Sequence, residues 1–228
     1  MTRRRVAVTG LGLVSPYGGD PGDFFARLLA GESAIGFLRT DDIPRPLAMP
    51  FVSCAGFSAE AVLGRALAGT LDRFAQLGVA AAFAAWDDAG FPRKEEGPDR
   101  ESWGVAWGTA LGGTLAYEKG YRDLWQRGRE RLSPLSLIQG LNNAANAQLS
   151  IQFGLGGVSM SHTVACASSA IAIGEAFRRV RSGEAPVMVS GGSDAPQAYA
   201  GARAWEALRV LASGDENDAP QSCRPFSV

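Results

Sequence analysis

Short apolar runs, each closed by glycine or by polar residues, mark the strands of this chain. In residues 158–164, valines, Met160 and His162 occupy the even positions, while serines and a threonine occupy the odd ones. A repeat of two is that of a β-strand. The pattern predicts strands over residues 6–10, 103–108, 158–164 and 185–190, and one short strand at 51–54 inside an otherwise irregular stretch, 39–58.

A repeat of three to four residues marks the helices. Gly90 and Pro92 close one such segment, and Gly183 closes another that carries arginines in its last turns. The spacing predicts helices over residues 21–31, 71–89, 136–153 and 167–181. One side of the second helix carries Phe74, Leu77, Ala81, Ala84 and Ala85, and one stripe of the fourth carries Ala170, Ile173, Phe177 and Val180.

The order of these elements predicts an α/β fold. Strands that alternate with helices favour a mainly parallel sheet with helices on both faces. Between the elements we expect a charged loop at 94–100, a turn at 109–113 and a surface excursion at 114–132. The chain shows no internal repeat and no linker, so residues 1–228 are expected to form one domain.

Composition excludes several classes of protein. The 228 residues are 46% hydrophobic and 20% charged, with a formal charge of −1, so bulk charge does not indicate a nucleic-acid partner. No apolar run reaches the roughly 18 residues of a membrane span. No secretory cleavage site follows the first strand, and we expect a cytoplasmic protein. Three cysteines are too few for a disulfide framework or a zinc site.

Cys166 lies at the junction of a predicted strand and a predicted helix. Ligands in open α/β sheets collect at the carboxyl ends of strands, and the partial positive charge at a helix N-terminus favours a thiolate. Residues 167–170 are all small, which leaves room for an acyl group and for a backbone N–H beside a developing oxyanion. A free cysteine that packs as a small apolar residue fits this location equally well.

A longer pattern distinguishes these two interpretations. Residues 156–174, with Cys166 at their centre, resemble the active-site segment of the β-ketoacyl synthases, the condensing enzymes of fatty acid and polyketide synthesis. Five further segments agree in order: VAVTGLGLVSPYG at 6–18, LLAGESAI at 28–35, GTALGG at 108–113, VMVSGGSD at 187–194 and CRPF at 223–226. The resemblance is closest to the elongating synthases that act on acyl carrier protein, and it covers essentially the whole chain.

The resemblance implies a thiolase fold, in which two similar halves form a layered α/β/α/β/α structure that usually works as a dimer. This chain matches the first half. By the same resemblance, Cys166 accepts an acyl chain from a carrier thioester, and a decarboxylated malonyl unit then extends that chain. The implied residues around the acyl group are Gly108, Leu111, Ala167 and Ser168. The implied partners are acyl carrier protein and a second ketosynthase-like chain, in a homodimer or heterodimer, with no cofactor and no metal.

Two departures from the family pattern affect this interpretation. Val164 stands two residues before the cysteine, where the family commonly has a threonine or serine. The malonyl-binding histidines, a lysine and a glycine-rich loop belong to the second half, so condensation is expected to require that half. The alternative is a non-catalytic dimerisation or chain-length subunit.

Other chemically suggestive residues are given structural interpretations. His162, the only histidine, is expected to be a packed or interface residue rather than a base. The arginines at 178, 179 and 181 suit a helix C-terminus, although an acidic carrier protein could also contact them. The glycines at 10 and 12 are expected to form a turn, because Ser15 replaces the third glycine of a dinucleotide-binding loop. By resemblance, Asn143 and its neighbours lie near the subunit interface.

Overall fold

The computed structural model describes residues 4–40, 43, 45–92 and 99–227. The predicted charged loop at 94–100 falls mainly on residues outside these ranges. The chain divides into two compact units: the first comprises Met1–Leu13 and Ser58–Ala200, and the second comprises Val14–Phe57 and Gly201–Val228.

Within the described ranges the elements follow one another along the chain. The helices are α1 Pro21–Leu29, α2 Ala59–Leu63, α3 Arg65–Gly69, α4 Arg73–Asp88, α5 Thr114–Trp125, α6 Leu135–Gly140, α7 Ala144–Phe153, α8 Ser168–Ser182 and α9 Tyr199–Ala207. The strands are β1 Gly36–Arg39, β2 Ala48–Phe51, β3 Gly104–Gly108, β4 Ser159–His162 and β5 Met188–Gly192, and a short 3₁₀ helix covers Ala219–Gln221.

The first unit is built on a parallel sheet of β4, β3 and β5, in that order. Strand β3 is buried along its whole length, as a central strand covered on both faces must be. Val105 and Trp107 point to the side of α4 and α7, whereas Ala106 points to the side of α8. This architecture confirms the expected α/β fold with helices on both faces. No helix within the described ranges is long and apolar enough to cross a bilayer.

The two faces of the sheet differ in the size of their buried side chains. On one face Trp86 stacks on Phe153 with ring centroids 4.0 Å apart, in a cluster that also contains Phe74 and Leu149. On the other face the buried side chains of α8 are small, because Ala172 and Ala176 pack on Ala106. The first face therefore supplies most of the apolar burial that stabilises the unit.

The stripe identified on α8 is not its buried face, and on α4 the side identified from the sequence contains one buried residue, Phe74. On α8, Ile173 is 54% exposed and Phe177 is 42% exposed, because the close approach of the helix to the sheet admits only alanine and serine. On α4 the fully buried residues include Val79 and Phe83, whereas Leu77 is only half-buried. Helix α4 is rich in alanine, so its sequence did not show which face of the helix is buried.

The prediction of a first strand at residues 6–10 is also wrong. Residues 6–10 form no strand within the described part of the chain, and Val8 is 80% exposed. The segment instead lies on α4, where a Cβ atom built at Gly12 would be 2.1 Å from the carbonyl oxygen of Ala81. The backbone N–H of Leu11 donates to Asp88 at 2.8 Å. These contacts replace the expected ladder.

Several element boundaries also differ from the prediction. The helix expected at 136–153 is two helices, α6 and α7, separated at residues 141–143. The expected surface excursion at 114–132 contains the helix α5, and the strand expected at 158–164 is confined to β4. The strand predicted at 51–54 lies earlier, as β2, because it pairs antiparallel with β1.

The second unit is organised around the hairpin of β1 and β2. Gly36 pairs with Phe51 at its open end, and the 3₁₀ helix contacts both strands. The guanidinium of Arg203 donates to the carbonyl oxygens of Arg45 and Pro46, at 2.6 and 2.8 Å. Helix α1 lies within the predicted segment 21–31; Asp20 caps its start, and Gly31 follows it with a positive φ of 70°.

Asp72 connects two helices of the first unit from a buried position. Its carboxylate caps α4 by accepting from the N–H of Phe74 at 3.2 Å, and it also accepts from the N–H of Ala116 in α5 at 2.7 Å. Burial raises the pKa of Asp72, and these backbone hydrogen bonds only partly oppose that rise. The folded chain therefore holds the proton of Asp72 more tightly than the unfolded chain does.

We expect this group to make stability depend on pH in a defined direction. Because the folded pKa of Asp72 is raised, its favourable contribution is fully present below its ordinary value of 3.8 and is lost as pH rises through the folded value. Denaturant unfolding of the wild type and of Asp72→Asn should show that the free energy of unfolding of the wild type falls relative to that of the variant as pH rises. Asp20→Asn, at the exposed cap of α1, is the matched control, and a wild-type advantage that grew with pH would contradict the assignment.

Candidate active site

A small cavity opens at the carboxyl edge of the parallel sheet. Strands β3 and β5 end there side by side, because Gly108 pairs with Gly192 in the register of the sheet. The N-terminus of α8 closes the cavity from the other side. The cavity has a volume of about 160 Å³ and is lined by Gly108, Ala165, Cys166, Ser168, Ser169, Gly192, Ser193 and Asp194.

Cys166 lies in a tight turn between β4 and α8. The residue before it, Ala165, has a positive φ of 48°, which is uncommon for a residue with a side chain. A conformation of this kind is held by its surroundings and is often found at functional sites. The turn presents Cys166 at the surface, where its thiol is exposed.

The hydroxyl of Ser168 fixes this turn. It accepts from the N–H of Val164 at 2.8 Å and donates to the carbonyl of Ala165 at 2.6 Å. The side chain is buried, with 3% of its surface exposed. Ser168 therefore connects both ends of the strained turn that carries the thiol.

Glycine at the ends of the two strands allows α8 to approach the sheet. A Cβ atom at Gly108 would lie 2.3 Å from the carbonyl carbon of Ser168, and one at Gly192 would lie 2.6 Å from Cβ of Ser169. Both distances are far below ordinary van der Waals contact. The two glycines therefore determine how close the first turn of α8 comes to the strand ends.

Asp194 was not among the site residues that the sequence suggested. Its carboxylate accepts from the hydroxyl of Thr109 at 3.0 Å, from the N–H of Ala110 at 2.9 Å and from the N–H of Leu111 at 3.0 Å. Thr109 in turn accepts from the N–H of Gly112 at 3.1 Å. In the sequence, an aspartate follows β5 shortly after the strand ends, and a turn follows β3 directly. The sequence does not show that these two strands are neighbours, so the aspartate could not be assigned to the turn without the structure.

Two of the four expected acyl-group residues line the cavity together with Cys166, and two do not. Gly108 and Ser168 share its wall with Cys166. Ala167 is the N-cap residue of α8 and is not among the lining residues. Leu111 lies on the neighbouring turn, 39% exposed, and connects to the cavity through Asp194.

The asparagines before and within α7 bind the edge strand of the sheet. Asn142 donates to the hydroxyl of Thr163 at 3.1 Å, and Asn146 donates to the hydroxyl of Ser159 at 2.9 Å. These hydrogen bonds give a reason within the chain for polar residues on this helical segment. Asn143 is exposed, and its expected place at a subunit interface stays a prediction.

His162 and the arginines of α8 do not approach the thiol by any hydrogen bond in the described residues. The Nε2 atom of His162 is buried without a hydrogen-bond partner among those residues. Arg178 pairs with Glu175, and Arg179 pairs with Glu184. The hydrogen bond from Arg178 holds the pKa of Glu175 below its usual value. Arg178 and Arg179 therefore each have a defined ion-pair partner, which fits a structural role.

Replacement of Ser168 should weaken the turn that carries the thiol. Ser168→Ala removes both hydrogen bonds of a buried hydroxyl, and we expect the free energy of unfolding to fall by about 1–3 kcal/mol. Ser182→Ala is the matched control, because it removes one exposed hydroxyl, bonded to the carbonyl of Arg179, from the other end of α8. Denaturant titration measures both. Equal losses in the two variants would contradict a special role for Ser168.

The whole chain matches a known family of proteins. Residues 3–228 match the family described as "Beta-ketoacyl synthase, N-terminal domain". The chain belongs to the β-ketoacyl synthase family. This membership confirms the resemblance on which the sequence analysis relied.

Individual family members show the same relationship. The chain is 35% identical over 224 residues to "Nodulation protein E" of Rhizobium sp. (strain N33), and 33% identical over 228 residues to "3-oxoacyl-[acyl-carrier-protein] synthase 2" of Staphylococcus aureus (strain COL). Each match covers 98% of this chain and 53% of the relative, so the chain spans about half the length of these curated β-ketoacyl synthase relatives.

A solved structure agrees with the fold. The crystal structure of a β-ketoacyl synthase from Burkholderia phymatum STM815 superposes with a TM-score of 0.78 at 24% sequence identity. The match covers 100% of this chain and 55% of that one. The fold described above is therefore that of one part of a β-ketoacyl synthase.

Proposed function

We propose that this chain is the nucleophile-bearing N-terminal domain, residues 1–228, of a condensing enzyme, and that Cys166 is its acyl acceptor. The observation that carries the proposal is the position of the Cys166 thiol. It is exposed on a strained turn at the start of α8, inside the cavity at the carboxyl edge of the sheet. Family membership supports the same residue through the matching segment around it.

The first step of the proposed reaction is acyl transfer. The Cys166 thiolate attacks the carbonyl carbon of an acyl thioester, the carrier thiol leaves, and the acyl group remains on Sγ as a new thioester. Ser169 and Ala170, in the first turn of α8, contribute N–H groups at the helix terminus, where such groups lack intrahelical acceptors. Donors of this kind stabilise an oxyanion when they face the developing charge.

The second step is proposed to need residues beyond this chain. A malonyl thioester loses carbon dioxide, and the resulting carbanion attacks the acyl carbonyl, which forms a carbon–carbon bond and releases the Cys166 thiolate. The sequence contains one histidine, His162, and its Nε2 atom is buried without a hydrogen-bond partner in the described part of the chain. The remainder of the relatives' length is the proposed source of the decarboxylating groups.

The proposed partners are acyl carrier protein and a second ketosynthase-like chain. The name of the Staphylococcus relative supports the carrier, because acyl-carrier-protein is part of that name. One face of α8 supports the second chain, because Ile173 and Phe177, four residues apart and therefore neighbours on the helix, are 54% and 42% exposed. Exposed apolar residues grouped on one face are typical of protein interfaces.

The direct test is acyl transfer from a carrier thioester to the isolated chain. Incubation with a labelled acyl-carrier thioester should add one acyl group, and digestion followed by mass spectrometry should place it on the Cys166 peptide. Condensation with malonyl-carrier should remain absent until the part that corresponds to the rest of the relatives' length is supplied. A chain that assembles with a ketosynthase-like partner but takes no label would instead indicate the non-catalytic subunit.

A further inference from the structure

The carboxylate of Asp194 accepts hydrogen bonds from three donors of the turn that follows β3. It binds the hydroxyl of Thr109 and the backbone N–H groups of Ala110 and Leu111 directly, at 2.9–3.1 Å. It holds Gly112 indirectly, through the hydroxyl of Thr109. Four consecutive residues therefore depend on one side chain that is more than eighty positions away in the sequence.

The sheet brings this carboxylate and this turn together. Strands β3 and β5 are parallel neighbours, and the N–H of Ser193 continues their pairing by donating to the carbonyl of Gly108 at 3.0 Å. Asp194 follows at once, beside the first residues of the turn. Thr109 is fully buried at this point, so the contact is part of the packed edge of the sheet rather than a surface encounter.

The hydrogen bonds of Asp194 indicate positioning rather than proton transfer. Asp194 lines the cavity that contains Cys166, where a free carboxylate could act as a base. Both of its oxygens instead accept hydrogen bonds from the turn. A carboxylate with these donors is held in place and in turn holds the segment that supplies them.

The held segment carries an apolar residue whose backbone is bonded to a residue of the cavity wall. Leu111 is the one large apolar residue of the turn 109–112, and it is 39% exposed. Gly112 has a positive φ of 59°, and a Cβ atom there would lie 2.1 Å from the amide oxygen of Asn142. The turn therefore has little freedom on that side, and Asp194 fixes it on the other.

We propose that Asp194 is a positioning residue that fixes the turn 109–112 and thereby sets which chain lengths reach Cys166. The proposal rests on the proposed function, because it deepens the account of the same site. Without the carboxylate, two backbone N–H groups and one hydroxyl lose their acceptor, and the backbone of Leu111 is no longer held beside the cavity wall. Discrimination between short and long chains should then decrease.

The test uses Asp194→Ala and two readouts that do not require acyl transfer. The first is hydrogen exchange of the amides of Ala110 and Leu111, which should become about tenfold faster or more when their acceptor is removed. The second is the rate at which short-chain and long-chain alkyl iodoacetamides label Cys166. We expect the ratio of the two rates to change by about tenfold. Asp194→Asn, which keeps one carbonyl oxygen, should give intermediate values.

The control is a second aspartate that organises a loop. Asp215 accepts from the N–H groups of Asn217 and Asp218, at 2.8 and 3.1 Å, in the second unit. Asp215→Ala should leave both readouts at their wild-type values. Circular dichroism confirms that each variant is folded, and if Asp194→Ala does not fold, the comparison is made with Asp194→Asn.

Each outcome separates this inference from the proposed function. A wild-type rate ratio in folded Asp194→Ala would overturn the positioning role, even if exchange of the turn became faster. A changed ratio, in a chain that takes no acyl group from a carrier thioester, would support positioning and contradict acyl transfer. A changed ratio together with acyl transfer whose chain-length preference shifts in the same direction supports both.

Discussion

Cys166→Ala should abolish acyl labelling of the chain by a carrier thioester, with a loss of about a thousandfold or more, the scale on which removal of a nucleophile acts. The physical reason is that a thiolate is the attacking group and the acyl group must remain on its sulfur. Intact-mass measurement of the labelled chain reads the result directly. The substitution removes an exposed side chain, so the fold should persist.

The other two cysteines provide matched controls for this prediction. Cys54→Ala and Cys223→Ala each remove one thiol outside the cavity, and both variants should keep wild-type labelling. An added electrophile gives a second comparison, because an activated Cys166 should react faster than a model thiol, whereas an incidental thiol should not. Labelling that persists in Cys166→Ala would remove the central claim of the proposed function.

Gly108→Ala should both destabilise the protein and disable the site. A methyl group at this position would overlap the carbonyl carbon of Ser168 at 2.3 Å and the N atom of Ser169 at 2.5 Å, and these backbone atoms have no rotamer through which to yield. The first turn of α8 must therefore move away from β3. Overpacking of this kind costs about 1–3 kcal/mol, and occasionally more, of the free energy of unfolding.

The effect on reactivity should exceed the effect on stability. Displacement of α8 by about 1 Å alters the place of Cys166 relative to the strand ends, and a misplacement on that scale costs about a hundredfold in rate. Gly36→Ala is the matched control, because it is also a strand glycine but its Cβ atom would lie 3.8 Å from the nearest atom, the carbonyl oxygen of Phe51. Unfolding titrations and acyl-labelling rates are measured for both variants. Wild-type labelling by Gly108→Ala would contradict the close-approach argument.

Local pattern was sufficient for the helices and strands with strong periods and clear caps. The sequence predicted α4 and α8 to within two residues at each end. It also predicted the apolar strand β3, because a run with no polar position fits only a strand covered on both faces. The strand at 6–10 was wrong because its composition resembles such a run, while its glycines allow it to lie directly on the backbone of α4.

The candidate nucleophile was visible for a similar local reason. Cys166 stands between a strand pattern and a helix pattern, and both the thiol's location and the family motif follow from residues close to it in the sequence. Ser168 was also within this segment. Its hydrogen bonds to Val164 and Ala165, however, depend on the positive φ of Ala165, which no property of alanine predicts.

The sequence by itself determined the α/β order, the position of Cys166 at a strand-to-helix junction and membership of the condensing-enzyme family, because each depends on short-range periodicity or ordered motifs. Only the tertiary structure decided that α8 buries Ala172 and Ala176 and exposes Ile173 and Phe177, since that choice depends on how closely two glycine-ended strands let the helix approach. It also decided that Asp194 holds the turn 109–112. That contact exists because β3 and β5 are neighbours in space, and strand order is a property of the whole packed sheet rather than of any local stretch of chain.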